Sequence, residues 1–192
     1  TEGQSLHRLF PDGRHESIVF NTPVRSDFRS CVKTVDGTLW AMHGLNSYGI
    51  DILGDSGWTD LLSEGDLAEG LGPLHGGRPE SPNTLFRARN DDIWVGTFAH
   101  GVKWYQWSTK TWRHFEDSAA AAVNGIPHTE SPVVRIATAP SAWWTFVSDF
   151  CEDDLGTIWM TNERAYTDSV VHGFNPDEES WCSLNAGEHG FP

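Results

Sequence analysis

The apolar positions of this chain fall in short runs separated by polar, Gly- or Asp-bearing turns, and the runs recur as a unit. Three segments carry the repeat: Val35-Asp36-Gly37-Thr38-Leu39-Trp40, Asn90-Asp91-Asp92-Ile93-Trp94-Val95-Gly96-Thr97 and Asp154-Leu155-Gly156-Thr157-Ile158-Trp159. A second tryptophan follows the first at 18, 18 and 22 residues, at Trp58, Trp112 and Trp181. Between each pair lies another apolar run, Ile50 to Leu53, Val102 to Tyr105 and Val170 to Phe174. Tyr105 precedes Trp112 by seven residues, and Phe174 precedes Trp181 by seven. Runs this short, flanked by residues that tolerate positive φ, predict strands joined by tight hairpin turns.

Each unit reads as four strands. The first is Phe28 to Lys33 in one unit and Leu85 to Ala88 in the next; in the third it is Trp144 to Val147 or Val133 to Ile136. Strands of this length joined in series form an antiparallel meander, which cannot bury its own faces, so copies must stack. The expected fold is all-β: a β-propeller, or part of one, with four-stranded antiparallel meander blades. Blade units are expected at 28–62, 83–116 and 133–184, and Ser5 to Phe20, around Pro11-Asp12-Gly13, reads as the outer hairpin of an incomplete blade. The repeat tryptophans are 54 and 65 residues apart, more than the about 40 to 45 of a usual blade. Insertions account for the excess: Glu64 to Pro82 reads as a surface loop, and Ala119 to Trp143 has room for an extra strand or a short helix near Ser118 to Val123. Three units are fewer than a closed ring of about four to eight blades needs. Further sequence, copies of the same chain or uncounted strands would have to complete it.

The units resemble the propeller repeat of two-component-regulator sensor regions and related secreted bacterial propellers. Asn90 to Gly101 (NDDIWVGTFAHG) matches best, with Asp92 at the place expected for Gly. VDGTLWAMHG at 35–44 has Met42 and His43 where Gly-Thr stands in the repeat, and DLGTIWMTNE at 154–163 keeps Thr161 but has Met160 for Gly. Asn124-Gly125-Ile126-Pro127 is similar to the Asn-Gly-Leu-Pro that precedes a unit's first strand. The resemblance implies an extracytoplasmic (periplasmic or secreted) setting and a signalling or binding role. It also implies that Trp40, Trp94 and Trp159 pack between blades; Trp58, Trp112 and Trp181 are assigned to the same packing.

Composition narrows the partners. Aromatic residues make up 12% of the chain, and the formal net charge is −14. That sign disfavours nucleic acid and anionic membrane, leaving a protein partner or a neutral oligosaccharide. No apolar run is long enough for a membrane-spanning helix. Cys31, Cys151 and Cys182 have no metal-ligand spacing, and Cys31 and Cys182 are expected to be buried in strands. No metal and no cofactor is expected.

Function is expected where strand two passes to strand three, because those loops share one end of the stack. They carry His43, Asn46, Tyr48, His100, Glu163, Arg164 and Tyr166, the candidate ligand-binding residues. A catalytic alternative would combine His43 and His100 with Asn162 or Glu163 as an acid–base or metal set. His128 with Glu130 is a weaker pair, and Asp91-Asp92 and Glu152-Asp153-Asp154 read as turn carboxylates rather than calcium ligands. The expected function is therefore a non-catalytic binding or protein-interaction module, possible ligands including a glycan. A propeller-fold polysaccharide lyase or hydrolase and a structural component of a larger assembly are the alternatives.

Overall fold

The structure, a computed structural model, describes residues 5–19, 28–43, 49–60, 82–97, 101–116, 129–130, 147–162 and 169–185. Among these residues the fold is all-β, with no helix. β1 (Ser5–Leu9) and β2 (His15–Val19) make an antiparallel hairpin around Gly13, whose φ of 82° suits only the left-handed turn it occupies. Three antiparallel meanders follow. The first sheet is β3 (Phe28–Lys33), β4 (Leu39–His43), β5 (Ile50–Gly54) and β6 (Gly57–Asp60). The second is β7 (Pro82–Arg87), β8 (Ile93–Thr97), β9 (Val102–Gln106) and β10 (Thr111–Glu116), extended by the two-residue β11 (Thr129–Glu130), which runs parallel to β10. The third is β12 (Val147–Glu152), β13 (Ile158–Asn162), β14 (Ser169–Asn175) and β15 (Ser180–Asn185).

The tryptophan spacing reports register. Trp40 pairs with Ile52, Trp94 with Trp104 and Trp159 with Gly173, all strand two against strand three. The seven-residue intervals are cross-strand pairs, Trp112 opposite Tyr105 and Trp181 opposite Phe174. Because successive side chains alternate between faces, each sheet offers one face to the sheet before it and the other to the sheet after it. Trp40, Met42 and Ile50 of the first sheet bury against Leu85, Ile93, Val95 and Tyr105 of the second. Trp94, Val102, Trp104 and Phe115 on the opposite face of the second sheet bury against Val147, Phe150, Ile158, Met160 and Phe174 of the third. β7, the first strand of the middle sheet, lies against both β3 and β12. This is the stacking of a partial β-propeller, and among the described residues no sheet is closed on itself.

Three readings need correction. The described first strand of the third unit is Val147–Glu152, which runs beyond the Trp144 to Val147 candidate; Trp144 to Phe146 and Val133 to Ile136 lie outside the described residues. Pro82 opens β7 instead of closing the preceding loop, a position where its missing N–H costs little. Cys31 and Cys182 are exposed free thiols, as is Cys151. Cys31 pairs with Ala41 on the first sheet's face turned away from the second, and Cys182 pairs with Gly173 on the third sheet's outward face. The extra strand in the second insertion exists as β11, while 118–123 is outside the described residues.

Candidate functional site

One end of the stack is closed by a single turn used three times. Thr34, Ala88 and Asp153 each accept, through their carbonyl, the N–H three residues on, from Gly37, Asp91 and Gly156. Each also donates its own N–H to the carbonyl four residues on, in Thr38, Asp92 and Thr157. The residue before the close is left-handed every time, with φ of 90° at Gly37, 71° at Asp91 and 83° at Gly156. Asp91, not Asp92, therefore stands at the glycine position of the repeat. Aspartate is among the few non-glycine residues that tolerate this conformation, and Arg87 holds its carboxylate. Asp92 does something else: buried, it accepts from Trp104 Nε1 at 2.8 Å and from the Trp107 N–H at 2.7 Å, fixing the next hairpin. Asp36 accepts from the Thr34 hydroxyl at 2.6 Å and the Thr38 N–H at 3.0 Å, which hold its carboxyl below its ordinary range. Asp153 is lowered in the same direction, first by Trp159 Nε1 at 2.8 Å and then by turn N–H groups.

The other end, where strand two meets strand three, repeats a different device. Each first strand begins with a bulge against the end of strand two: between Phe28 and Ser30, between Pro82 and Thr84, and between Val147 and Asp149. Bulges re-aim side chains and concentrate beside functional sites. The last residue of strand two is polar and buried in all three sheets, at His43, Thr97 and Asn162. Beside it, strand three buries an ionisable residue at one register position: Asp51 opposite Ala41, Lys103 opposite Val95, His172 opposite Met160. Their partners differ. His43 Nε2 lies 3.2 Å from Asp51 Oδ1, an ion-pair separation when the imidazole is protonated. Lys103 Nζ lies 2.9 Å from His114 Nδ1, and His172 Nδ1 lies 2.8 Å from Ser183 Oγ. In the second sheet the Thr97 hydroxyl donates to the Gly101 carbonyl at 3.0 Å, and Asn83, in the bulge, donates across the seam to the Val147 carbonyl at 2.9 Å. Buried polar groups need such partners, because leaving one unmade costs about 1–3 kcal/mol.

Of the seven candidate ligand-binding residues, His43 is described; Asn46, Tyr48, His100, Glu163, Arg164 and Tyr166 lie outside the described residues. His43 is 2% exposed, its ring stacked on Phe28 with centroids 5.4 Å apart, and its Nδ1 is buried with no hydrogen-bond partner among the described residues. His43 with Asp51 has the elements of an acid–base pair, but both are sealed from solvent, so here the pair ties strand two to strand three. Among the described residues no group of three His, Cys, Asp or Glu side chains could hold a metal ion. His128 lies outside the described residues, and Glu130 is in β11. Sequence reasoning missed Asp51, Lys103 and His172. Part of the signal was present: each interrupts an otherwise apolar third strand, but at 11, 9 and 13 residues after the repeat tryptophan, so spacing alone does not align them. The repeat tryptophans are placed unequally: Trp40 and Trp94 are buried, while Trp58, Trp112, Trp159 and Trp181 are half-buried.

No protein-family model and no curated protein matches the chain. Solved structures do. The extracellular domain of the hybrid two component system BT4673 from B. thetaiotaomicron superposes with a TM-score of 0.53 at 17% identity, over 90% of this chain and 18% of that one. PorZ, a bacterial surface component of the type-IX secretion system of Porphyromonas gingivalis, superposes with a TM-score of 0.55 at 16% identity, over 89% of this chain and 22% of that one. The chain thus spans about a fifth of the length of these structures. At such identities the likeness is one of fold, and it agrees with the propeller stacking described above.

Proposed function

We propose that this chain is a non-catalytic recognition segment of an extracytoplasmic β-propeller, presenting the strand-two end of its blades to a protein partner or a neutral oligosaccharide. The observation that carries this reading is the contrast within each sheet. The turn end keeps one hydrogen-bonded geometry, whereas the strand-two end keeps its backbone and changes its chemistry: His43 with Asp51, Thr97 with Lys103, Asn162 with His172. These side chains are buried and do not meet a ligand themselves; they anchor the strand ends from which the recognition loops leave. A rigid scaffold that carries differing loops is how such a surface is built. In this reading Asn46, Tyr48, His100, Glu163, Arg164 and Tyr166 supply the contacts, and the six repeat tryptophans are packing residues. The blades span about the ranges read from the sequence, and further blades, in longer sequence or in another copy, cover the third sheet's open face. The extracytoplasmic setting is supported by the fold shared with an extracellular domain and with a surface component; carbohydrate as ligand is the finer part of the proposal.

The test is a neutral-glycan array followed by amide chemical-shift mapping of any hit. Recognition predicts shifts grouped at the ends of β4, β8 and β13, with the glycan recovered intact. Recovery of cleaved or unsaturated products would replace the reading with the lyase or hydrolase alternative. Shifts confined to the turn end would remove the strand-two end from consideration.

A further inference from the structure

Two of the three free thiols occupy the unused halves of a contact that the fold makes twice. On each first strand, the residue opposite the repeat tryptophan is turned towards the following sheet: Val32, Phe86 and Cys151. The residue before it is turned towards the preceding sheet: Cys31, Leu85 and Phe150. Each seam joins one residue of each kind. Val32 and Leu85 enter one core, and the Phe86 and Phe150 rings lie 6.2 Å apart. Left over are Cys151, on the third sheet's open face, and Cys31, on the first sheet's outer face. Leu85 and Phe150 are 6% and 7% exposed, whereas Cys31 and Cys151 are exposed thiols. Further out on the first sheet's outer face, Ala41 and Asp51 are 2% and 1% exposed. The opening on that face therefore lies at β3, where Phe28 is also 39% exposed.

We propose that two copies of this chain join head to tail, β12 of one against β3 of the other, through a disulfide between Cys151 of the first and Cys31 of the second. This rests on the reading that a further blade covers the third sheet's open face, and it names that blade as the first sheet of another copy. Two cysteines are smaller than either internal pair, so the inner strands can close to the Cα separation of about 4.4–6.8 Å that a disulfide needs. The opening at β3 is narrow, so the covalent bond, more than buried area, holds the contact. Two copies bring twice the three meanders of one chain, within the about four to eight blades of a closed ring. An extracytoplasmic setting keeps such a bond once it is made. A disulfide donor such as oxidised glutathione makes it by exchange. One protein thiolate attacks the donor and expels one glutathione thiolate; the second protein thiolate then displaces the other glutathione from the mixed disulfide. Two protein thiols are oxidised, the donor is reduced to two thiols, and the protons pass to them. Cys182 shares the open face but stands on the outer strand β15, whereas the first sheet's one cysteine, Cys31, is on the inner strand, so Cys182 stays a thiol.

The test is equilibration of the whole chain with oxidised and reduced glutathione, read by non-reducing electrophoresis and peptide mass mapping. A covalent pair of chains is expected, returned to single chains by dithiothreitol, with Cys31 and Cys151 in one linked peptide. Cys182→Ser should keep the pair. Cys31→Ser and Cys151→Ser, each made in the Cys182→Ser protein, should lose it. Mixing those two proteins should restore a pair carrying one bond. Unchanged melting temperatures in dithiothreitol show that both variants fold. Single chains throughout, a bond mapped to Cys182, bonds between like cysteines, or no product on mixing overturns the proposal. Such a failure leaves the recognition reading standing, because the glycan array and shift map test that separately.

Discussion

The two seams between sheets use the same repeat but distribute side-chain volume in opposite ways. In the first, the bulk lies at the end of strand two, where Met42 is fully buried, and the outer strands carry Ile52 and Thr59. In the second, the equivalent of Met42 is Gly96, and the bulk moves outward to Trp104, Arg113 and Phe115. Gly96 allows close approach: a Cβ there would lie 2.7 Å from Thr84 Cγ2 and 2.8 Å from Val147 Cγ1. The second seam also carries more polar ties. Asn83 reaches Val147, the Arg89 N–H donates to Glu152 at 2.7 Å, and Arg113 pairs with Glu179. The first seam has the Arg87 guanidinium on the Lys33 carbonyl at 2.9 Å. Sheet stacking therefore depends on total volume across a seam more than on which position supplies it. Filling the outer strands does not by itself close a seam: the first keeps a cleft of about 260 Å3 beside Ile52 and Thr59, and the second keeps one of about 400 Å3 between Arg89, Glu152 and Asp154.

The largest effect that would break this contrast is loss of Phe115. Fully buried, its ring meets Trp94, Trp104, Phe174 and Trp181 at 4.9–6.2 Å. Phe115→Ala is expected to cost about 3–5 kcal/mol in urea unfolding. Ile52→Ala, beside the cleft, should cost clearly less; equal losses would mean that the two seams are equally filled. Asp92 comes next. Asp92→Ala strands the Trp104 indole N–H inside the core and frees the Trp107 N–H, for a loss of about 2 kcal/mol. Asp92→Asn keeps one acceptor and should recover part of it, whereas Thr38→Ala at the equivalent place in the first sheet should change stability by about 0.5 kcal/mol or less. Gly96→Ala follows, forcing Val147 away for about 1–2 kcal/mol. A neutral Gly96→Ala would show that the second seam has slack and end the argument from close approach.

The parts of this contrast that sequence could reveal are those carried by period and spacing. The seven-residue intervals from Tyr105 to Trp112 and from Phe174 to Trp181 were cross-strand pairs waiting to be read. The β12 strand was harder: its bulge between Val147 and Asp149 breaks the two-residue period, so Val147 and Phe150 face inward at a spacing that alternation does not produce. Cysteine burial failed for another reason. Whether Cys182 is covered depends on what stacks against its sheet, and strand propensity carries no such information. Assigning Asp92 to the glycine position failed by one residue, because Asp-Asp reads the same in either frame until φ separates them. At the candidate site His43 was legible as the residue after the repeat strand. Its buried partner Asp51 required knowing that an ionisable residue inside an apolar strand recurs in all three sheets.

The smallest effect lies where the comparison reaches the third sheet. Trp94 and Trp159 hold one repeat position, yet Trp94 is fully covered by the third sheet and its Nε1 has no hydrogen-bond partner among the described residues. Trp159 lies on an outward face, half-buried, and its Nε1 donates to Asp153. That bond is the largest cause lowering Asp153 below 3.8. A carboxyl lowered in the folded state stabilises it above the unfolded value, and the contribution disappears as pH falls from about 4 towards the folded value. Trp159→Phe should move Asp153 back up towards 3.8 and flatten the acid limb of the stability profile relative to the parent. Asp36 and Glu179, lowered by other partners, should keep their share of that limb in both proteins. Carboxyl carbon shifts of Asp153, followed from about pH 6 to about pH 2, read the change directly. An Asp153 titration unmoved by Trp159→Phe would mean that the turn N–H groups alone hold the carboxylate. Burial of Trp94 and exposure of Trp159 would then differ in packing only, without the electrostatic consequence drawn here.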